Sequence, residues 1–123
     1  MRTDLEMKPG KLASQVAHAS MAFLSNKIRQ AMTDDSKSIH LEFSEAETIW
    51  LRGKFTKIIL AASSEEELRS LHRQFEEKSI PAVLIVDDGT TVFDSKPTAT
   101  CLGVGPAYAD EIDIFAGHLK LYK

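Results

Sequence analysis

At 123 residues, 43% hydrophobic and 27% charged, the chain is large enough for one buried core and too small for two. Six Gly and four Pro exclude a collagen-like or low-complexity fibre, and the apolar content excludes intrinsic disorder. A formal charge of −3, from 15 Lys and Arg against 18 Asp and Glu, excludes a protein that coats nucleic acid nonspecifically, so any such contact must be local. The longest apolar run, 58–62, falls far short of the ~20 residues that span a bilayer. No charged-then-apolar leader opens the chain, so a cytoplasmic protein without membrane contact is expected. The single cysteine, Cys101, lies in an apolar run and reads as a small buried residue with no chemical role.

In chain order, residues 1–5 read as a short extended segment and Lys8-Pro9-Gly10 as a turn into a helix that runs to about Met32. Ser44 and Glu47 have capping-box spacing for a short helix that carries Ile49, Trp50 and Leu51 and stops at Gly53. The β-branched residues of 56–62 predict a strand buried on both faces. Ser64 and Glu67 repeat the capping-box spacing, and Leu68, Leu71 and Phe75 give residues 65–78 one apolar face. Pro81 opens a strand over 82–86, Asp94 to Pro97 is a loop, 98–104 is a third core strand, and Gly105-Pro106 starts a last helix that ends at Gly117. The alternation predicts a single α/β domain over 1–123. Strands 56–62 and 82–86, joined by a helix, are expected to be parallel, and the last two strands, joined by a loop too short for a crossover, antiparallel.

Lys11, Gln15 and His18 fall at i, i+4 and i+7, which lines a cation, an amide and an imidazole along one flank of a helix. That flank borders the apolar stripe of Leu12, Val16, Ala19 and Phe23, so it sits at the rim of the core. In open α/β sheets ligands gather beyond the carboxyl ends of strands, and two features meet that description. The free N–H groups from Gly10 onward, with Lys11 beside them, suit an anion, and the strand at 82–86 delivers Asp87, Thr90 and Thr91 at its own end. His18 is suited to moving protons, with Gln15 one turn away to orient it. Each residue also has a plainer reading: Lys11 as a solvated helix-start lysine, His18 as a half-buried histidine satisfied by a carbonyl, Asp87-Asp88-Gly89 as a turn, Thr98 as a β-former. No His or acidic group has metal-ligand spacing, so neither metal nor cofactor is expected. Lys8 and Lys11 at one terminus, with Lys120 and Lys123 at the other, would make a local basic patch if the termini meet.

Taken together, Arg2-Thr3-Asp4-Leu5, Gly10-Lys11-Leu12-Ala13-Ser14-Gln15, Ala17-His18-Ala19, Leu84-Ile85-Val86-Asp87, Gly89 with Thr91, Thr98 with Thr100, Gly105-Pro106 and Gly117-His118-Leu119-Lys120-Leu121 resemble the type 2 peptidyl-tRNA hydrolase family along the whole chain. The resemblance implies a mixed four-stranded sheet with helices on both faces in three layers, commonly a homodimer, that hydrolyses the ester between a peptide and the 3′ end of tRNA. It implies site residues Lys11, Gln15, His18, Asp87, Thr91 and Thr98. Lys11, His18, Asp87 and Thr91 are the expected catalytic group, with Asp87 or His18 as base, and Lys8, Gly10, Gln15, Thr98 and Lys120 the expected substrate contacts.

The chain departs from that family at three places. Thr90 stands where an arginine is usual, Val92 replaces a polar amide ahead of a slightly longer Asp94-Ser95-Lys96-Pro97 segment, and the apolar strand before Arg2 is reduced to Met1, so the first strand is expected to be truncated or very short. The leading reading is a metal-independent esterase on peptidyl-tRNA. The alternatives are a catalytically weak relative that binds a partner and an esterase of small acyl or aminoacyl substrates.

Overall fold

The computed structural model describes residues 1–123. Four α-helices and two strands follow in the order α1 (Pro9–Ala31), α2 (Glu45–Arg52), α3 (Glu65–Glu77), β1 (Ala82–Asp87), a short 3-10 turn (Phe93–Ser95), β2 (Thr98–Val104) and α4 (Ala109–Ala116). Local chemistry accounts for most boundaries. The Ser44 hydroxyl accepts from Glu47 N–H at 3.2 Å while the Glu47 carboxylate accepts from Ser44 N–H at 2.9 Å, a complete capping box on α2. On α3 the box is shifted: Ser64 accepts from Glu67 N–H, but the Glu67 carboxylate reaches Ser63 instead.

β1 and β2 form an antiparallel pair with Ala82 opposite Val104 and Asp87 opposite Thr98. Alternation sends the side chains of Leu102 and Val104 to one face, where they pack with Leu71 and Phe75 of α3 and Ala116 of α4. Leu84 and Leu102 also meet Leu68 on that face, and the rings of Phe75 and Phe115 cross edge to face at 5.4 Å. The opposite face belongs to α1. It lies so close that a Cβ on Gly103 would stand 2.6 Å from the Ala19 carbonyl oxygen.

The mixed four-stranded, three-layer sheet expected from sequence is not formed: the sheet has two strands, both antiparallel. Residues 56–62 contribute only isolated bridges, Leu60 to Leu121 and Ala62 to Arg2, and Ile58 remains 69% exposed. The reason is lateral. Residues 1–3 lie between this segment and β2 and meet it through single bonds, with Ala62 N–H donating to Met1 C=O, Thr3 N–H to Ala62 C=O and Arg2 N–H to Thr100 C=O. Such isolated bonds close the gap without building a ladder. The first strand is thus a single bridge residue, and the parallel pairing expected between 56–62 and 82–86 does not occur.

Arg2 secures this junction. Its guanidinium grips both carboxylate oxygens of Asp4, at 3.0 and 2.6 Å, and donates to Glu65 at the start of α3 and to Ala99 C=O. The last helix begins at Ala109 rather than at Gly105-Pro106, because Gly105, at φ +81°, extends the hairpin by donating to Pro81 C=O. The close approach at Gly103 yields a direct test. Gly103→Ala forces α1 off the sheet and should cost about 1–3 kcal/mol in urea unfolding, with α1-dependent helicity reduced by circular dichroism.

Candidate active site

The start of α1 and the carboxyl end of β1 converge. Pro9 lies in the first turn of α1, no acidic residue follows it there, and the first intrahelical bond runs from Leu12 N–H to Lys8 C=O. The N–H groups of Gly10 and Lys11 are therefore free of backbone partners, and the positive helix end is not neutralised. One and two turns in, the Lys11 ammonium donates to Asp87 Oδ2 at 2.5 Å and to Thr91 Oγ1 at 3.2 Å, and Gln15 Nε2 donates to the same Oδ2 at 2.9 Å. Asp87 Oδ1 accepts from Gly89 N–H at 3.0 Å. Gly89 holds a φ of +81° with its Cα pressed against the Lys96 backbone, so the loop after β1 folds back on itself and carries Thr91 to Lys11.

Gln15 is the hub. It is 2% exposed, and its carbonyl oxygen accepts a 2.6 Å hydrogen bond from the hydroxyl of Thr100, which is fully buried. The pairing of β1 and β2 is irregular between Ile85 and Val86, leaving Thr100 as the extra residue of a β-bulge. That bulge lets two successive residues face α1: Thr100 bonds the Gln15 side chain, and the Cys101 thiol donates to the Gln15 backbone carbonyl at 3.3 Å. Burial pushes the Cys101 thiol above its ordinary value. The Lys11 hydrogen bond chiefly, supported by those of Gly89 and Gln15 and opposed by partial burial, holds the Asp87 carboxyl below the usual carboxylate range.

His18 is exposed, makes no hydrogen bond, and faces a groove of about 460 Å³ that also borders Gln15 and Asp87. The sequence expectation that Gln15 orients His18 is overturned, because both ends of the Gln15 amide are committed to Asp87 and Thr100. Thr98 stands opposite Asp87 in the ladder but donates to Lys96 C=O and bonds none of the cluster. Lys8, at the N-cap of α1, and Lys120 are both exposed, and neither ammonium bonds to the cluster, whose donors to Asp87 are Lys11, Gln15 and Gly89. Thr90, in place of the usual arginine, is exposed and its N–H serves only the turn closed by Asp88. Thr100 belongs to the family resemblance but has no place among the expected site residues, and the structure puts it at the centre of the cluster. The signal for it was the Thr98-Ala99-Thr100 repeat, which alternation alone could not resolve.

Comparison with known proteins follows the same path. The family model described as peptidyl-tRNA hydrolase PTH2 matches residues 1–122. The chain belongs to the PTH2 family. It is 37% identical to the peptidyl-tRNA hydrolase of Methanopyrus kandleri over all of this chain and 94% of that protein. Identity to the enzyme of Sulfolobus acidocaldarius is 33%, over 98% of this chain and 94% of the relative. A probable peptidyl-tRNA hydrolase 2 of Dictyostelium discoideum is 37% identical over 99% of this chain, which spans 52% of that longer protein.

Two outcomes test the hub. Gln15→Leu strips the Thr100 hydroxyl and Asp87 of a buried partner and should lower unfolding free energy by about 1–3 kcal/mol in urea titration. For Asp87 the depressed pKa sets the sign: the stability its charge adds is fully present above the unfolded value of about 3.9 and is lost as pH falls through the lower folded value. The difference in urea midpoint between wild type and Asp87→Asn should stay constant from neutrality to about pH 5 and shrink toward zero in stronger acid.

Proposed function

We propose that this PTH2-family chain hydrolyses the ester linking a peptide to the 3′ end of tRNA, with His18 as general base and Lys11 as the stabiliser of developing negative charge. The observation that carries this reading is the set of three donors held on Asp87. Lys11, Gln15 and Gly89 all donate to its carboxylate, and its pKa is lowered, which makes it a poor proton acceptor and a good anchor. His18 is exposed on the same groove with its ring nitrogens uncommitted, and imidazole is the side chain suited to accept and return a proton near neutral pH.

In the proposed reaction His18 removes a proton from water as its oxygen adds to the ester carbonyl carbon. The Lys11 ammonium spends two of its three protons on Asp87 and Thr91 and aims the third at the forming oxyanion. Thr91, accepting from Lys11, keeps its own hydroxyl proton to donate alongside. Collapse breaks the bond to the ribose 3′ oxygen, which takes the proton back from His18 and leaves as free tRNA, while the peptide leaves as a carboxylic acid.

The chemistry is metal-independent: Lys11 already occupies the anionic side of Asp87, where a metal cation would have to displace it. The exposed Lys8 at the helix start and Lys120 in the tail serve as phosphate contacts, replacing the cation missing at Thr90. We place the enzyme in the cytoplasm, where translation generates its substrate, as a homodimer that covers apolar side chains such as Ile49 and Ile58, which are 57% and 69% exposed. The partner-binding and small-ester readings lose their ground, because the family match runs through 1–122 and the Lys11, Gln15 and Asp87 cluster is intact.

Incubation with N-acetyl-aminoacyl-tRNA in the presence of a chelator should give free tRNA with the wild type. Lys11→Ala and His18→Ala should each lower kcat/KM by about 10²–10³. Lys8→Ala should raise KM with little change in kcat and lower the salt dependence of binding by about one charge. An inactive wild type would overturn the reading, and His18→Ala within about twofold of wild type would remove His18 as the base.

A further inference from the structure

β1 has a strand neighbour on one side only. Gly105 N–H donates to Pro81 C=O at 2.7 Å, and the alternation of an antiparallel ladder then turns Val83 and Ile85 toward β2 and Ala82, Leu84 and Val86 away from it. No backbone bond from a loop or turn reaches Ala82, Leu84 or Val86. Along this open edge runs the groove of about 460 Å³, floored by β1 and walled by His18, Ser25, Asn26 and Arg29 of α1. One end lies at Gln15 and Asp87. From there α1 runs antiparallel to β1, since Gln15 touches Asp87 while Ala19 sits over Gly103, the cross-strand partner of Val83.

We infer that this edge binds the peptide part of the substrate, which adds to β1 as a short extended strand. The inference rests on the cleavage reading above, and it follows from covalent continuity. The carbon under attack is the carboxyl carbon of the last peptide residue, so the preceding residues must lead away from Lys11 and His18, and the groove begins there. Its chemistry favours peptide over RNA. Asp87 and Asp88 stand at the near end, Arg29 is the only fixed cation on the wall, and unpaired N–H and C=O groups complement an extended main chain. Main-chain pairing reads no side chains, which suits a substrate whose peptide sequence varies. At a rise of about 3.3 Å per residue, the edge from Asp87 to Val83 accommodates about four peptide residues.

The test uses the wild-type chain and tRNAs charged with acetylated peptides of increasing length. kcat/KM should rise by about tenfold in total up to about four residues and then level off. Methylating single amide nitrogens of the peptide should cost about three- to tenfold at alternate positions and nothing at those between, the signature of an added strand. Asn26→Trp, which places an indole in the groove, should bring the long-peptide substrate down to the single-residue level and leave N-acetyl-aminoacyl-tRNA within about twofold of wild type. Hydrolysis that ignores peptide length and methylation would overturn the peptide assignment alone. An equal loss on both substrates in Asn26→Trp would give the groove to RNA and also overturn it. A wild type inert toward the whole series would overturn the cleavage reading and this assignment with it.

Discussion

The site depends on one buried amide. Gln15 is sealed from solvent and joins the end of β1, through Asp87, to the bulge of β2, through Thr100. A buried amide left unpaired is costly, so the helix can seat itself in one register only, with both hydrogen bonds made. The missing side chain at Gly103 permits that seating, because it lets the backbone of α1 come down onto the sheet one turn beyond Gln15. Packing and polarity thus specify the same geometry, and Lys11, one turn earlier on the same face, is delivered to Asp87 as a result.

That delivery divides labour between the charged groups. Asp87 accepts from three donors and has a lowered pKa, so it holds Lys11 in place. The ammonium, bonded to Asp87 and Thr91, keeps one proton unspent beside a helix start that carries no acidic side chain.

The elements legible in the sequence are those whose cause is local. Ser44 with Glu47 and the apolar spacing of Leu68, Leu71 and Phe75 encode α2 and α3, and the short connection before 98–104 encodes an antiparallel hairpin. The four-stranded sheet expected from sequence has no such local cause, and it does not form. The β-branched residues of 56–62 express a preference for extended backbone, but a strand exists only with a lateral partner, and here the lateral contacts are isolated bridges rather than a ladder. Within the site, helical periodicity places Lys11 and Gln15 on one flank, and the structure carries that flank to Asp87. The partner of Gln15 was misread because periodicity reports neighbours on one helix, whereas the amide is satisfied across the sheet. Thr100 escaped because a bulge breaks the two-residue alternation on which strand reading relies.

The position of Cys101 makes it a gauge of the whole arrangement. Its thiol is held against the Gln15 carbonyl, buried, and disfavoured from ionising. Only the thiolate reacts readily with alkylating reagents, so the sulfur is shielded while α1 is seated and becomes reactive when the helix lifts. As the sole cysteine of the chain it gives a single labelling signal, whose rate follows how often the molecule breathes open between α1 and β2.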